Sequence, residues 1–136
     1  MKVYLEQGAK APERAHPDDA GLDIFSRETM LVPARGSAVF HTGVHVELPR
    51  GTAGFLKSKS GLNVLRDIIG EGVIDCGYTG EIVVKLYNLG DQDYWVNAGD
   101  KISQLVEVKI RTDEVEIADR ISGGERGNAG FGSTGR

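Results

Sequence analysis

Short runs of alternating apolar and polar residues recur along the whole chain, separated by Pro and Gly. Met30 to Val32 leads into Pro33-Ala-Arg-Gly36, and Ser37 to Phe40 follows. Val44 to Leu48 alternates strictly, and Pro49-Arg-Gly51 turns the chain into Ala53 to Lys57. Ile82 to Asn88, Asp93 to Val96 and the long run Ile102 to Ile110 complete the series. Many short strands punctuated by turn residues predict an all-β fold, a distorted barrel or jelly roll. Only Ser60 to Arg66 reads as a helix, about two turns long. At the centre, Gly70 to Ile82 predicts a strand, a glycine-rich turn and a second strand. Val73 and Ile74 supply β-propensity before the turn, and Ile82, Val83 and Val84 after it. Gly77 and Gly80 are expected to supply the positive φ of a narrow hairpin. Asp75 and Tyr78 then sit at the bend, where side chains reach outward. Alone, that Asp is ordinary turn chemistry.

A chain of 136 residues suits one domain with a real core. Its net charge of −4 argues against direct nucleic-acid binding, which normally shows a basic surface. The lone Cys76 forms no intrachain disulfide and reads as a small filler. Met1 to Glu6 carries no signal-peptide pattern, and no apolar run is long enough to cross a bilayer, so the expectation is a cytoplasmic protein without membrane contact. The composition changes once. From Gly123 to Arg136 the chain is mostly Gly, Ser, Thr, Asn and Arg. Such a tail builds no core, yet it carries the aromatic Phe131 and the cation Arg126. The expected organisation is a β-barrel domain over 1–122 and a glycine-rich arm over 123–136.

Five clusters stand out in order: Ala20-Gly-Leu-Asp23-Ile; Lys57-Ser-Lys59-Ser60-Gly61-Leu62; Gly72-Val73-Ile74-Asp75-Cys-Gly-Tyr78-Thr-Gly80-Glu; Gly99-Asp-Lys-Ile-Ser-Gln104-Leu; and Arg126-Gly-Asn-Ala-Gly130-Phe131-Gly132-Ser133-Thr134-Gly. One cluster alone is weak evidence. All five, in this order and at about these spacings, make the chain resemble the trimeric deoxyuridine triphosphatase (dUTPase) family over residues 12 to 136.

The resemblance implies hydrolysis of dUTP to dUMP and pyrophosphate by water attack on the α-phosphorus, with Mg2+ as cofactor. Asp75 is implied as the general base that aligns the water and takes its proton. Tyr78 would lie under the deoxyribose and exclude a 2′-hydroxyl. The backbone of Gly72, Val73 and Ile74 would pair with the uracil edge, leaving polar groups unpaired against cytosine. Lys59, Ser60 and Gly61 would contact the phosphates at a helix start, where free N–H groups favour anions. The competing reading there is an ordinary Ser N-cap. Asp23, otherwise a solvated loop acid, would hold hydrated magnesium through water. Gln104 would approach the phosphates, and Phe131 would stack on uracil. Arg126, with the Ser133 and Thr134 hydroxyls, would grip the γ-phosphate, and Gly132 would also contact the substrate. The arm would close over a neighbouring subunit of a homotrimer as a lid.

Three departures from the family pattern stand out, one of them a segment between Ser60 and Asp75 somewhat shorter than in bacterial members. Ser58-Lys59-Ser60 replaces the usual Pro-Arg-Ser, and lysine lacks arginine's two-pronged contact. Gly77 stands where many members carry a second Asp. The nearest rival, a dCTP deaminase or bifunctional enzyme, requires a glutamate on the strand after the turn, where this chain has Val83-Val84-Lys85. A regulatory binding protein on the same fold is the other rival; it would be expected to have lost Asp75, Tyr78 or Phe131, and all are present.

Overall fold

The computed structural model describes residues 1–128. Ten strands and one helix follow one another: β1 (Lys2–Leu5), β2 (Gly21–Phe25), β3 (Met30–Val32), β4 (Ser37–Glu47), β5 (Thr52–Lys57), α1 (Ser60–Arg66), β6 (Ile68–Ile69), β7 (Gly72–Asp75), β8 (Glu81–Asn88), β9 (Tyr94–Val96) and β10 (Lys101–Lys109). They form three antiparallel sheets, ordered β1-β4-β8-β6, β2-β10-β5-β7 and β3-β9. All three contribute to one core. Phe40, Val44, Ile82, Val84 and Leu86 come from the first sheet, Ile24, Leu56, Ile74, Ile102 and Leu105 from the second, and Val32 and Val96 from the third. The all-β reading and the single short helix hold, with the helix ends as expected.

The alternation explains the placement. Along β8, Ile82, Val84, Leu86 and Asn88 point inward, while Val83, Lys85 and Tyr87 point out. Two expected strands, Ser37 to Phe40 and Val44 to Leu48, merge into the single long β4. The join is a bulge: His41 faces Val83 and His45 faces Glu81, so β4 spends four residues where β8 spends two. Gly43 turns the bulge at φ 66°. Thr42 is fully buried; its hydroxyl donates to the Ile82 carbonyl at 2.6 Å and accepts from the Val44 N–H at 3.1 Å.

The central hairpin is corrected by the structure. β7 and β8 flank the turn in sequence but do not pair. Both edges of β8 are already taken, by β4 and β6, so β7 crosses to the other sheet and pairs with β5. The turn over residues 76–80 therefore bridges two sheets. Gly77 and Gly80 are not at positive φ. Gly80 is needed for a different reason: a methyl group there would lie 2.5 Å from the Tyr78 hydroxyl and 2.6 Å from the ring carbon that carries it. Gly77 faces open space, so the absence of a larger side chain there relieves no crowding. Cys76 is half-buried and packs against the core, as a filler does. After β10, residues 110 to 128 are exposed.

Candidate active site

The first group of site residues lies at the end of the second sheet. β7 is an edge strand: one side pairs with β5, and the other pairs with no strand among the described residues. That free edge offers backbone N–H and C=O groups to a planar partner. Ile74 points into the core, which throws Val73 and Asp75 outward. A cavity of about 250 Å³ opens beside them, lined by Val73, Ile74, Asp75, Tyr78, Glu81 and Val83. The Tyr78 N–H donates to the Asp75 carbonyl at 2.9 Å and closes the turn. The Tyr78 hydroxyl donates to the Glu81 carbonyl at 2.9 Å, which lays the ring over Gly80. Asp75 and Tyr78 thus face one cavity.

The second group lies at the far corner of the same sheet. Asp23 on β2, Gln104 on β10 and Lys57 on β5 are direct cross-strand neighbours. Asp23 is not a solvated loop acid. It is a buried strand residue, 4% exposed. Lys101 Nζ sits 2.7 Å from its Oδ2, and Lys59 bonds its Oδ1. Burial alone would push its carboxyl up; the Lys101 and Lys59 ammonium groups overcome this and hold it below the ordinary value. Asp23 in turn raises the pKa of Lys101, against the cost of desolvation. A buried carboxylate demands such partners.

The chain leaves β5 here through the Lys57–Ser60 segment. Lys59 is the N-cap of α1 in extended conformation and makes no side-chain capping bond, so the cap is not Ser60. The first-turn N–H groups of such a helix start have no intrahelical acceptor. Gln104 Nε2 donates to the Ser58 carbonyl at 3.0 Å, and Ser103 Oγ donates to the Lys57 carbonyl at 3.1 Å. Ser58 Oγ donates to the Gly70 carbonyl at 3.1 Å and accepts from the Gly70 N–H at 3.0 Å. Gln104 therefore braces the loop. Ser58, Lys101 and Ser103 join the site as residues the sequence reading did not assign. Lys101 and Ser103 flank Ile102 within the Gln104 cluster, the one signal that could have marked them.

These two groups do not meet within one chain. Asp75 is opposite Ala53, whereas the Asp23 row passes through Lys57, four residues further along β5 and three strands across. That is about 13 Å along the strands and about 14 Å across them. Arg126 lies in an exposed turn beyond β10. Phe131, Gly132, Ser133 and Thr134 lie outside the described residues. Among the described residues, no cluster of three or more His, Cys, Asp or Glu side chains is arranged to hold a metal ion.

The family model described as dUTPase matches residues 7–135. The deoxyuridine 5'-triphosphate nucleotidohydrolase of Kluyveromyces lactis is 38% identical, covering 100% of this chain and 94% of its own length. The enzyme of the same name from Clostridium acetobutylicum is 40% identical, covering 96% and 92%. Among solved structures, the Staphylococcus bacteriophage 80alpha dUTPase with dUpNHpp superposes with a TM-score of 0.89 at 34% identity, covering 99% of this chain and 98% of that one. A mutant dUTPase from phage phi11 of S. aureus, described for its coordination of a structural Mg(II) ion, gives 0.81 at 33% identity, covering 88% and 96%.

Proposed function

The chain belongs to the dUTPase family and is a dUTP diphosphatase, and on that premise we propose how its residues divide the release of dUMP and pyrophosphate. The observation that carries the reading is the cavity at the free edge of β7, faced by one carboxylate and one aromatic ring.

The uracil edge pairs with the exposed backbone of Gly72, Val73 and Ile74. A strand edge reads a donor–acceptor pattern, so cytosine leaves buried groups unmatched. The Tyr78 ring, held against Gly80 by its bond to the Glu81 carbonyl, supports the sugar and excludes a 2′-hydroxyl. Asp75 takes a proton from water as the water oxygen bonds to the α-phosphorus. The bond from that phosphorus to the bridging oxygen breaks, and pyrophosphate leaves. Lys59 and the free N–H groups of Ser60 and Gly61 receive the phosphate charge. Gln104 keeps their loop in register.

Magnesium, when bound, neutralises phosphate charge and orients the triphosphate. The residues fit an ion that keeps its waters and is carried by the phosphates, because among the described residues there is one buried carboxylate here and not a cage. Asp23 would hold the hydrated ion, since each of its oxygens accepts from one lysine and has a second lone pair to offer.

A site whose halves lie far apart in one chain requires a second copy. We assign the Asp75 half and the Lys59 half of each site to neighbouring subunits of a homotrimer. The arm over 123–136, with Arg126, Phe131, Gly132, Ser133 and Thr134, closes it. Deamination is disfavoured: Lys85 occupies the position a catalytic glutamate would need, and its ammonium lies 4.8 Å from the Tyr87 ring centre. The test is pyrophosphate release from a panel of dUTP, UTP, dCTP and dTTP, with and without magnesium. Release confined to dUTP and dependent on the ion is expected; ammonia from dCTP would overturn the assignment.

A further inference from the structure

The bulge of β4 aims two histidines at the turn that carries Tyr78. His41 Nδ1 lies 2.8 Å from Glu81 Oε2, and the Gly43 N–H donates to Glu81 Oε1 at 2.7 Å. The backbone carbonyl of that same Glu81 receives the Tyr78 hydroxyl. His45 approaches the turn directly. Its Nδ1 lies 3.0 Å from the Thr79 carbonyl, and its Nε2 lies 3.2 Å from Glu6 Oε1. Both ring nitrogens therefore face acceptors, which only the doubly protonated imidazolium satisfies. The ring is braced by Tyr4 on β1, with centroids 5.3 Å apart. Glu6 is itself fixed by Arg27 Nη1 at 2.6 Å.

The Thr79 carbonyl belongs to the Thr79–Gly80 peptide, and the Tyr78 ring lies against Gly80, so a bond to that carbonyl fixes the backbone on which the ring rests. We propose that His45 is a positioning residue for sugar selection: by holding the Thr79 carbonyl, it keeps Tyr78 where a 2′-hydroxyl cannot enter. This rests on the reading of Tyr78 given above.

The charge environment makes the device pH-dependent. His45 faces the Thr79 carbonyl, Glu6 and Glu81, with Arg27 behind Glu6 and the neutral Tyr4 ring on its other side. The Thr79 carbonyl, and then Glu6, raise its pKa above the ordinary value, against desolvation. Arg27, and then His45, hold the Glu6 carboxyl below its ordinary value, so it stays ionised. Both bonds are present below the raised imidazolium pKa, and one is lost as pH rises through it. The carboxylate is the stronger acceptor, so the remaining proton stays on Nε2. A bare Nδ1 then faces the Thr79 oxygen, and the turn loses its tie.

Three substitutions separate the contacts. His45→Phe keeps the ring and loses both donors. His45→Asn carries an amide nitrogen near the Nδ1 position, and His45→Gln one near the Nε2 position. The Phe and Gln variants are expected to raise KM for dUTP and weaken the preference for dUTP over UTP by about two- to tenfold each, the range for one lost hydrogen bond, with kcat little changed. His45→Asn should recover both properties. The wild type should lose selectivity as pH rises through the His45 titration, whereas His45→Asn should hold it. Equal behaviour of the Asn and Gln variants, or the same pH profile in wild type and His45→Asn, overturns the proposal. Tyr78→Ala is the control. A shift there with none in His45→Phe removes His45 from the device and leaves the reading of Tyr78 intact. No shift in either removes that reading as well. If His45→Phe does not fold, the Asn and Gln pair and the wild-type pH profile still decide.

Discussion

Asp75 and Tyr78 share one turn but are held differently, and this separates their predicted phenotypes. The Asp75 carboxylate projects outward from β7 and makes no side-chain hydrogen bond among the described residues. Replacing it with Asn breaks nothing in the fold. Asp75→Asn should therefore melt like the parent and bind dUTP, while turnover falls by about 100- to 10,000-fold, the contribution of a positioned general base. Single-turnover kinetics beside a nucleotide-binding titration checks this; near-normal turnover would remove Asp75 from its role. Tyr78 is tied to the Glu81 carbonyl and lies over Gly80, so its ring is a fixed wall. Tyr78→Ala should raise UTP hydrolysis relative to dUTP. An unchanged ratio of kcat/KM values would mean that the sugar is read elsewhere. Lys59 behaves differently from a free phosphate-binding cation. It is bonded to Asp23, so receiving phosphate requires it to share or exchange that partner. The usual arginine would offer a fork at this point, whereas lysine offers one ammonium.

At the scale of elements, the β4 bulge sets the position of the turn, and Gly43 permits the bulge. Its φ of 66° is left-handed, and a methyl group there would lie 2.8 Å from Arg27 Nη1 and 2.9 Å from Ala9 Cβ. Gly43→Ala is expected to cost about 1–3 kcal/mol, read as a lower urea midpoint with an unchanged slope. A midpoint equal to the parent's would show that the bulge relaxes freely. Alternation made β8 the most legible strand, because it is wetted on one face along its whole length, whereas β5 was legible from its flanking turn although it is buried almost throughout. β1 was missed because all four of its residues are exposed, and β2 because Asp23, Ile24 and Phe25 are buried in succession. β6 is only two residues long. The pairing of β7 was misread because strand partners are chosen across the whole fold, and β8 had no free edge. The residue types at Asp75 and Tyr78 were legible from the turn. The burial of Asp23 was not, because the lysines that make it tolerable lie on other elements. The turn pattern predicts Gly80 for a positive φ that it does not adopt; its role is space for a ring, which depends on where Tyr78 folds.

For the whole molecule, the decisive fact is that the Asp75 and Lys59 groups sit at opposite corners of one sheet, three strands apart. General-base chemistry needs hydrogen-bond reach, so a site using both must combine chains. Complementation between two inactive variants tests this. One chain carries Asp75→Asn. The other keeps Asp75 but carries Lys59→Ala with Ser60→Ala, which removes the side chains assigned to phosphate while Lys101 still holds the buried Asp23. In a closed ring each site takes Asp75 from one subunit and the phosphate half from the next. A trimer with one chain of either kind and two of the other contains one junction where an intact Asp75 meets an intact Lys59 and Ser60. At equal co-expression about three quarters of trimers are mixed, each with one working site in three, so about a quarter of wild-type activity should return. If each chain instead formed its own site, every site in a mixed trimer would still lack one half. Activity no higher than that of the separate variants, from trimers shown by native mass to be mixed, would refute the shared site while leaving the family assignment untouched.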